Sequence, residues 1–487
     1  MKNKLLKLLS FYSMHQRHQS IEKLLCKRNL VITILGYGVT GKSFLLWGQN
    51  NLHQSTRYFI IDKKYFEIVQ SNDKKIVYLP EWYKKKCFKK SHYVFPSPGF
   101  LIKKKEKYYW KIIPELDLFF YIWNKLDYES IIITGSIGKT SLSTMIYHYL
   151  SQIKSAILSG NIGYPVLNFL NKEAKNNKKV AVIECSNLQL EHCVLIKVDY
   201  FIITNLFENH LNMHKNYAAY IFAKLSPLIY ESEYIKQIII SQSAYNQILL
   251  FFPFLLEKIN RKRRCIQEVK DRNNCIRDED IIFLENNKIM KNNTLLLSQI
   301  PLFSFILNWQ IAVALLSYYI KDVNNFIVNN TLPELPPFRL QRITTNNDSL
   351  IVYNDSKSTI IESSLTALTQ ILITHKNDYI IFIIGGLSKG VDRKSGINRI
   401  IKQVDQLILF GSEALLLYKS LLMLDEKNNF IESFEKLSEA ISYSIELVKR
   451  IEKKTVIVFS PGGSSFDEFD SYIERGNYFN TLMNQLL

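Results

Sequence analysis

Short apolar runs recur along this chain, and most of them end in a polar or glycine-rich turn. Clear examples are VITIL, SIIIT and VAVIE in the first half and YIIFII, QLILF and TVIVF nearer the carboxyl end. Helical patterns separate many of these runs. Unbroken apolar runs of this length are typical of strands buried on both faces of a parallel sheet, with helices as crossovers. The pattern therefore predicts an α/β protein.

The length of 487 residues is too great for one ordinary core and predicts about three domains. We expect a Rossmann-like first domain over residues 1–113, in which residues 1–29 form an extension without an assigned role. A central P-loop ATPase-like domain built on a parallel sheet is expected over 114–335, and a Rossmann-like C-terminal domain over 336–487. For the extension, an amphipathic surface helix and an upstream start codon both remain open.

The net charge of +18 would suit a nucleic-acid-binding protein. However, Lys, Asn, Ile and Tyr recur along the whole chain, as an AT-rich genome would produce, so we expect no nucleic-acid binding. The basic run RKRR at 261–264 is interpreted as a solvated surface loop. The six cysteines form no C-x-x-C pair, which favours reduced thiols in a cytoplasmic protein. A monomer is expected.

One uncharged stretch, from Asn292 to Ile320, is long enough to cross a bilayer. It contains Pro301, Asn308 and several serines, and it predicts a strand, a turn and then a buried helix. The basic N-terminus lacks a small-residue cleavage site, which disfavours a secretory signal. We therefore expect no membrane span.

The strongest local signal for chemistry is TGSIGKTS at 134–141, between an apolar run and a helical pattern. Its glycines let backbone amides face phosphate oxygens, Lys139 neutralises the phosphates, and a hydroxyl of Thr140 or Ser141 can reach Mg²⁺. The loop is two residues shorter than the usual phosphate-binding motif. ATP binding is the direct inference.

A second glycine-rich turn, GYGVTG at 36–41, is followed by Asp62 at the end of the run YFIID. This arrangement matches the fingerprint of dinucleotide-binding folds. A hydride-transferring enzyme has no need of the ATP loop that follows, so the first domain is expected to hold a different nucleotide.

Together these motifs resemble the Mur ligase family, and in particular its D-glutamate-adding members. The resemblance runs from about Val31 to Leu487. Besides the two glycine-rich turns, its ordered landmarks are SPG at 97–99, GNIG at 160–163, IECSNLQLE at 183–191, ENHL at 208–211, AK at 223–224, PPFRLQ at 336–341, NDSKST at 354–359 and SPGGSSFDEFDSYIERG at 460–476. Their order and spacing carry the resemblance.

The resemblance implies sites for three substrates. The implied ATP-binding residues are Gly135, Ser136, Ile137, Gly138, Lys139, Thr140, Ser141, Asn308, Arg339, Asp355 and Lys357. The implied ligands of Mg²⁺ are Thr140, Glu184, His210 and Lys224, with the lysine carrying a carbamate. The implied residues for UDP-N-acetylmuramoyl-L-alanine are Gly38, Val39, Thr40, Asp62, Ser97, Pro98, Gly99, Asn161, Ser186 and Gln189. The implied residues for D-glutamate are Thr359, Lys389, Ser465, Phe466 and Tyr472.

In this family the substrate carboxylate is activated by ATP to an acyl phosphate, which the amine of the incoming amino acid attacks during peptidoglycan precursor synthesis. Lys139, His210, Lys224 and Arg339 are the implied catalytic residues, since phosphoryl transfer to an anion needs positive charge around it. Three of the implied site residues also have a purely structural interpretation. His210 would be a hydrogen-bonded structural histidine, Lys224 a solvated helix lysine and Asp62 a turn-capping carboxylate.

Several residues depart from the family pattern. They are Ile137, Asn209, Asn212, Phe338, Ile360 and Leu387. Asn209 and Asn212 stand beside His210 where the family usually has acidic residues. Most lie at the implied ATP and metal sites, so weaker binding of Mg²⁺ or ATP is expected. They leave two other readings open: a decayed, non-catalytic nucleotide-sugar-binding partner of wall synthesis, and a sister Mur or folylpolyglutamate-type ligase.

Overall fold

A computed structural model gives the fold. It describes residues 2–100, 109–170, 179–231, 234–260, 263–266, 281–285, 288–291, 294–300, 305–334, 336–345, 347–422 and 430–486, and for residues 2–13 only the backbone is described. Within these ranges the chain forms three sheets. Each sheet is mainly parallel, which confirms the α/β class.

The first sheet has the strand order β3-β4-β2-β1-β5. Its strands are β1 (Val31–Leu35), β2 (Arg57–Ile61), β3 (Val69–Gln70), β4 (Ile76–Leu79) and β5 (Tyr93–Pro96). The helices of this region are α1 (Lys2–Cys26), α2 (Val39–Asn51) and α3 (Lys84–Lys90). Only β3 pairs antiparallel. As a result, the loops after β1, β2 and β5 share one edge of the sheet.

The central sheet has the order β14-β13-β12-β11-β10-β9-β6-β8-β7. Its strands are β6 (Glu129–Thr134), β7 (Ser155–Gly160), β8 (Lys179–Glu184), β9 (Val198–Ile203), β10 (Ile235–Ser241), β11 (Arg263–Ile266), β12 (Ile281–Glu285), β13 (Lys288–Lys291) and β14 (Thr294–Leu297). The helices are α4 (Glu115–Trp123), α5 (Lys139–Leu150), α6 (Asn187–Leu190), α7 (Tyr217–Glu231), α8 (Gln242–Phe251), α9 (Leu256–Asn260), α10 (Ile306–Leu316) and α11 (Val323–Asn329). Strands β6 to β12 pair in parallel, and β13 and β14 extend the sheet antiparallel.

The third sheet has the order β15-β16-β20-β17-β18-β19. Its strands are β15 (Gln341–Ile343), β16 (Leu350–Asn354), β17 (Tyr379–Gly385), β18 (Gln406–Phe410), β19 (Ile431–Phe434) and β20 (Thr455–Phe459). The helices are α12 (Ile361–Thr374), α13 (Lys394–Ile401), α14 (Ala414–Leu422), α15 (Leu437–Val448) and α16 (Tyr472–Leu486). Each face of the sheet is covered by its own apolar cluster.

The chain divides into two compact units. The first comprises residues 1–206, 221–300 and 306–333 and holds the first two sheets, and the second comprises 207–220, 301–305 and 334–487 and holds the third. The predicted division into three domains, at 113/114 and 335/336, stays a prediction.

The basic run at 261–264 and the uncharged stretch from Asn292 to Ile320 both contain regular secondary structure. The interpretation of RKRR at 261–264 as a surface loop is wrong for its second half, because Arg263 and Arg264 lie in β11 and pair with β10; residues 261 and 262 lie outside the described ranges. The uncharged stretch contains β14 and then the buried helix α10, as predicted. Among the helices within the described residues, none is long and apolar enough to cross a membrane.

The N-terminal extension forms the long helix α1, which packs against α4 within the first unit. Ile21 and Leu24 are fully buried, and the Arg17 guanidinium lies 3.3 Å from the Asp117 carboxylate. The same carboxylate accepts hydrogen bonds from the backbone amides of Val194 and Leu195. The Arg17–Asp117 contact therefore fixes α1 to α4, and the same carboxylate joins α4 to the segment after α6. Helix α1 is thus partly buried and makes specific polar contacts, unlike a helix that only lies on the surface.

Candidate active site

The loop between β6 and α5 contains two glycines, Gly135 and Gly138, whose backbone conformation other residues rarely adopt. Gly135 has φ +146 and Gly138 has φ +83. A Cβ at Gly135 would lie 1.9 Å from the Thr204 hydroxyl oxygen, and one at Gly138 would lie 2.7 Å from Asn308 Oδ1. The predicted ATP residue Asn308 is therefore brought against the loop. Helix α5 begins at Lys139, so the amides of its first turn are left without helical acceptors.

Asn205, which follows β9, shapes this loop and was not singled out from the sequence. Its Oδ1 accepts hydrogen bonds from the amides of Ser136 and Ile137, and its Nδ2 donates to the carbonyl of Ile137. The amides of Ser136 and Ile137 are thus bonded to Asn205 in this structure, and the expectation that the loop amides face phosphate stays a prediction. The amides at the start of α5 are further candidate donors to an anion.

Two lysines converge on the same loop carbonyl. Lys139 Nζ donates to the carbonyls of Gly135 at 2.9 Å and Ser136 at 3.2 Å. Lys224 Nζ, from α7, donates to the carbonyl of Gly135 at 2.7 Å. Lys224 is only 1% exposed, so the alternative of a solvated helix lysine is excluded.

Burial lowers the pKa of Lys224 well below its usual value, and the nearby charge of Lys139 lowers it further, against an opposing effect of Glu184. A buried cation beside another cation is unfavourable. The folded protein therefore favours the neutral amine at this position.

Glu184 ends β8 and is 1% exposed. Its Oε1 accepts a hydrogen bond from Asn161 Nδ2 at 3.0 Å, while Oε2 is buried with no hydrogen-bond partner in the described part of the chain. A buried carboxylate oxygen without a donor is costly unless a cation completes it. Glu184 therefore fits the ligand role that the resemblance implies.

Ser186 and Gln189 bond to each other in a capping box at the start of α6. Ser186 Oγ accepts from the Gln189 amide, and Gln189 Oε1 accepts from the Ser186 amide. These two predicted substrate residues thus lie beside Glu184 at the carboxyl edge of β8, held by the cap. Their role toward the substrate stays a prediction.

The predicted nucleotide-sugar residues of the first sheet meet at the carboxyl ends of β1, β2 and β5. Ser97 Oγ donates to the carbonyl of Gly36 at 2.8 Å, and Asp62 accepts from the amides of Tyr37 at 2.6 Å and Lys64 at 3.2 Å. Asp62 therefore caps its own turn and also fixes the glycine-rich turn. Gly38 precedes α2, which begins at Val39 and Thr40. Pro98 and Gly99 follow Ser97 in the loop after β5.

Arg339 lies in a strained segment of the second unit. Its neighbours Phe338 and Leu340 have φ +63 and +45, in the left-handed region. Arg339 also lines a cleft of about 530 Å³. Such strain next to a predicted ATP residue is typical of functional sites.

The carboxyl group of Asp355 is buried near Arg339. It accepts hydrogen bonds from Ser460 Oγ at 2.7 Å and from the Leu340 amide at 3.3 Å. Burial raises its pKa to about 6, although the Arg339 charge lowers it. Lys357, two residues further on, lies with Nζ 5.3 Å from the centre of the Tyr472 ring.

The predicted D-glutamate residues lie on loops that follow three neighbouring strands. Thr359 follows β16, Lys389 follows β17, and Ser465 follows β20. The amide of Gly462 donates to the carbonyl of Ser358, which joins two of these loops. Phe466 is 72% exposed, and Tyr472 begins α16. Parallel strands place their carboxyl-end loops at one edge, where ligands of α/β folds bind.

His210 lies in the second unit with φ +54. Its carbonyl accepts from the amides of Met213 and His214, and its ring centre is 6.3 Å from that of Tyr220. In the described part of the chain, no group of three or more His, Cys, Asp or Glu side chains is placed to hold a metal ion. The predicted role of His210 as a metal ligand stays a prediction.

Comparison with known proteins agrees with this arrangement. Residues 133–249 match the model of the Mur ligase middle domain. A curated protein of Buchnera aphidicola (strain Tuc7), named UDP-N-acetylmuramoylalanine--D-glutamate ligase, is 29% identical over 398 residues, covering 77% of this chain and 79% of the relative. A protein of the same name from Borreliella burgdorferi (strain B31) is 26% identical over 474 residues, covering 94% of this chain and 98% of the relative.

The fold is also similar to a crystal structure of MurF from Acinetobacter baumannii, with a TM-score of 0.59, 13% identity, and coverage of 96% of this chain and 98% of that one. The chain is therefore similar, over most of its length, to proteins of the Mur ligase family, which perform ATP-dependent ligation in peptidoglycan precursor synthesis. Within that family, both curated relatives described above carry the name of the D-glutamate ligase.

Proposed function

We propose that this protein uses ATP to join D-glutamate to UDP-N-acetylmuramoyl-L-alanine, in the cytoplasm. Supporting this proposal are the names of the two relatives and the ordered motifs, among which NDSKST and the ending SPGGSS to ERG favour the D-glutamate ligases over their sisters. The observation that carries catalysis is the buried Lys224 amine, 2.7 Å from the loop carbonyl of Gly135. A protein that only binds nucleotide sugar has no need of an amine there.

The proposed reaction has two steps. An oxygen of the alanine carboxylate attacks the γ-phosphorus of ATP, which forms an acyl phosphate and releases ADP. The amine of D-glutamate then attacks the acyl carbon, loses a proton, and expels inorganic phosphate as the amide forms. The first step brings two anions together, so positive charge must surround the transferred phosphoryl group.

The protein's own residues supply that charge and the positions of the reactants. Lys139 would turn from the loop carbonyls to the phosphates, and the free amides at the start of α5 would bind phosphate oxygens. Arg339, in its strained segment beside Asp355, would add a second positive charge. The loops after β16, β17 and β20 would hold D-glutamate through Thr359, Lys389 and Ser465.

The residues of the first unit fit a bound Mg²⁺, which would neutralise phosphate charge. Thr140, Glu184 and a carbamylated Lys224 would supply oxygen ligands. The unpartnered Oε2 of Glu184 is the observation that supports this fit. Hard divalent cations prefer such oxygen donors.

Isotope transfer tests the acyl-phosphate route directly. With both oxygens of the alanine carboxylate labelled with ¹⁸O, we expect one labelled oxygen in the phosphate released at each turnover, measured by mass spectrometry. The label transfers because the attacking carboxylate oxygen leaves with the phosphate. Release of unlabelled phosphate alongside the amide product would contradict the proposed mechanism.

A further inference from the structure

The turn after β17 carries Lys389 and is held by the neighbouring loop. Leu387 and Ser464 form a pair of backbone hydrogen bonds, each 2.9 Å long. Lys389 itself has φ +55, and its carbonyl accepts from the Asn212 amide at 3.3 Å. The Lys389 turn, residues 385–390, therefore joins the Ser464–Ser465 loop to the segment that follows His210.

A buried arginine, Arg393, binds the carbonyl oxygens of this turn. Arg393 is 3% exposed, and its two terminal nitrogens donate to the carbonyls of Gly385 at 2.9 Å and Gly386 at 2.8 Å. A Cβ at Gly463 would lie 2.5 Å from Arg393 Nη1, so glycine is needed for the guanidinium to come this close. A planar guanidinium can bind two successive carbonyls at once, which an ammonium group cannot do as well.

Glu413 links this arginine to the residue just before Lys389. Its Oε2 accepts from Arg393 Nη2 at 2.8 Å, and its Oε1 accepts from both the amide and the hydroxyl of Ser388, at 3.0 and 3.1 Å. The Ser388 peptide is thus fixed from one side by a charge-assisted bond. Neither Arg393 nor Glu413 is among the substrate-binding residues of the proposed reaction.

A buried arginine with so many backbone acceptors serves the shape of the turn. Burial lowers the pKa of the Arg393 guanidinium, and Glu413 opposes that effect. Keeping such a group inside a protein is unfavourable unless hydrogen bonds replace those to water. The two terminal nitrogens of Arg393 make such bonds, whereas its Nε has no partner among the described residues. This unfavourable burial of a charged group occurs at the turn that holds Lys389 in a left-handed backbone conformation.

We propose that Arg393 and Glu413 are positioning residues that fix Lys389 for the carboxylate of the incoming amino acid. This inference rests on the proposed function. Removing either residue leaves the β17 strand in place but releases Ser388, and the Lys389 ammonium then samples many positions. Binding of D-glutamate weakens, whereas ATP and the nucleotide sugar bind through other residues.

The test compares Arg393→Met, Arg393→Lys, Glu413→Gln and Ser388→Ala with the parent, using Arg450→Met as the control for an exposed arginine of the same unit. For Arg393→Met we expect the KM for D-glutamate to rise roughly tenfold to a hundredfold, with the other two KM values within about twofold. Arg393→Lys recovers part of the loss. Ser388→Ala removes only the hydroxyl of a partly buried residue, and it shows a smaller rise in the KM for D-glutamate.

Hydrogen exchange, measured without substrate, separates this inference from the proposed function. The amides of 386–391 exchange faster in Arg393→Met and Glu413→Gln, while those of β18 are unchanged. Unaltered exchange and an unaltered KM for D-glutamate overturn the inference. Equal rises in all three KM values, with no recovery in Arg393→Lys, overturn it in favour of a general structural role. If the parent protein ligates no amino acid, only the proposed function is refuted. The exchange measurement still decides whether Arg393 and Glu413 fix the Lys389 turn.

Discussion

Replacing Lys224 by alanine is expected to reduce ligation below about a hundredth of the parent rate, because the site loses the carbamate that would hold the Mg²⁺ near the phosphates. Burial lowers the pKa of the Lys224 amine, which favours the neutral form that reacts with CO₂. Addition of CO₂ to the amine forms a carbamate and releases a proton, so a potential cation becomes an anionic oxygen ligand. The departures Asn209 and Asn212 remove acidic side chains near His210 in sequence, which makes this added anion more important.

Rates are to be measured as phosphate release with all three substrates, with Lys321→Ala as the control for an exposed lysine of the same unit. A short-chain carboxylate such as acetate should restore part of the activity of Lys224→Ala, since it can supply the missing oxygen donor in the vacated space. Unaltered activity in Lys224→Ala would remove the modified lysine from the mechanism. Inactivity of the parent, with nucleotide-sugar binding intact, would favour the decayed, non-catalytic alternative.

Replacing Lys139 by alanine is expected to lower turnover by about a hundredfold or more, as removal of a preorganised charge stabiliser does elsewhere. In the structure Lys139 rests on the carbonyls of Gly135 and Ser136, at the entrance to α5. The variant loses this contact and the positive charge that the phosphates need, but it keeps the glycines that shape the loop.

The control for Lys139→Ala is again Lys321→Ala, and thermal melting of both variants shows whether the fold is kept. Turnover within a few-fold of the parent would show that ATP does not bind at this loop. A loss that appears only in the KM for ATP, with kcat unchanged, would assign Lys139 to binding of the nucleotide in its ground state rather than to the transferred phosphoryl.

The local pattern of the sequence predicted those parts of the fold and site that depend on near neighbours. The run YFIID predicted a strand ending before Asp62, and β2 ends at Ile61. The loop at 134–141 lies between β6 and α5, as the glycines and the following helical pattern indicated. Apolar periodicity and turn formers act over a few residues, so one sequence suffices to read them.

Contacts between distant segments could not be predicted in the same way. Asn205 is 69 residues from Ser136 and 68 from Ile137 along the chain, and nothing in TNLF marks its side chain as their partner. Arg393 and Glu413 lie in polar segments that resemble ordinary surface. The strand at Arg263–Ile266 is basic at its start and becomes a strand by pairing with β10, an example of tertiary pairing overriding local composition.

The central claim is most directly tested by the choice of amino acid. Purified protein is incubated with ATP, Mg²⁺ and UDP-N-acetylmuramoyl-L-alanine, and D-glutamate, L-glutamate, L-alanine or a diamino acid is supplied in turn. Phosphate release and the mass of the nucleotide-sugar product are both measured. We predict phosphate release and a product heavier by one glutamyl residue with D-glutamate alone. Equal turnover with L-glutamate or with a diamino acid would contradict the account.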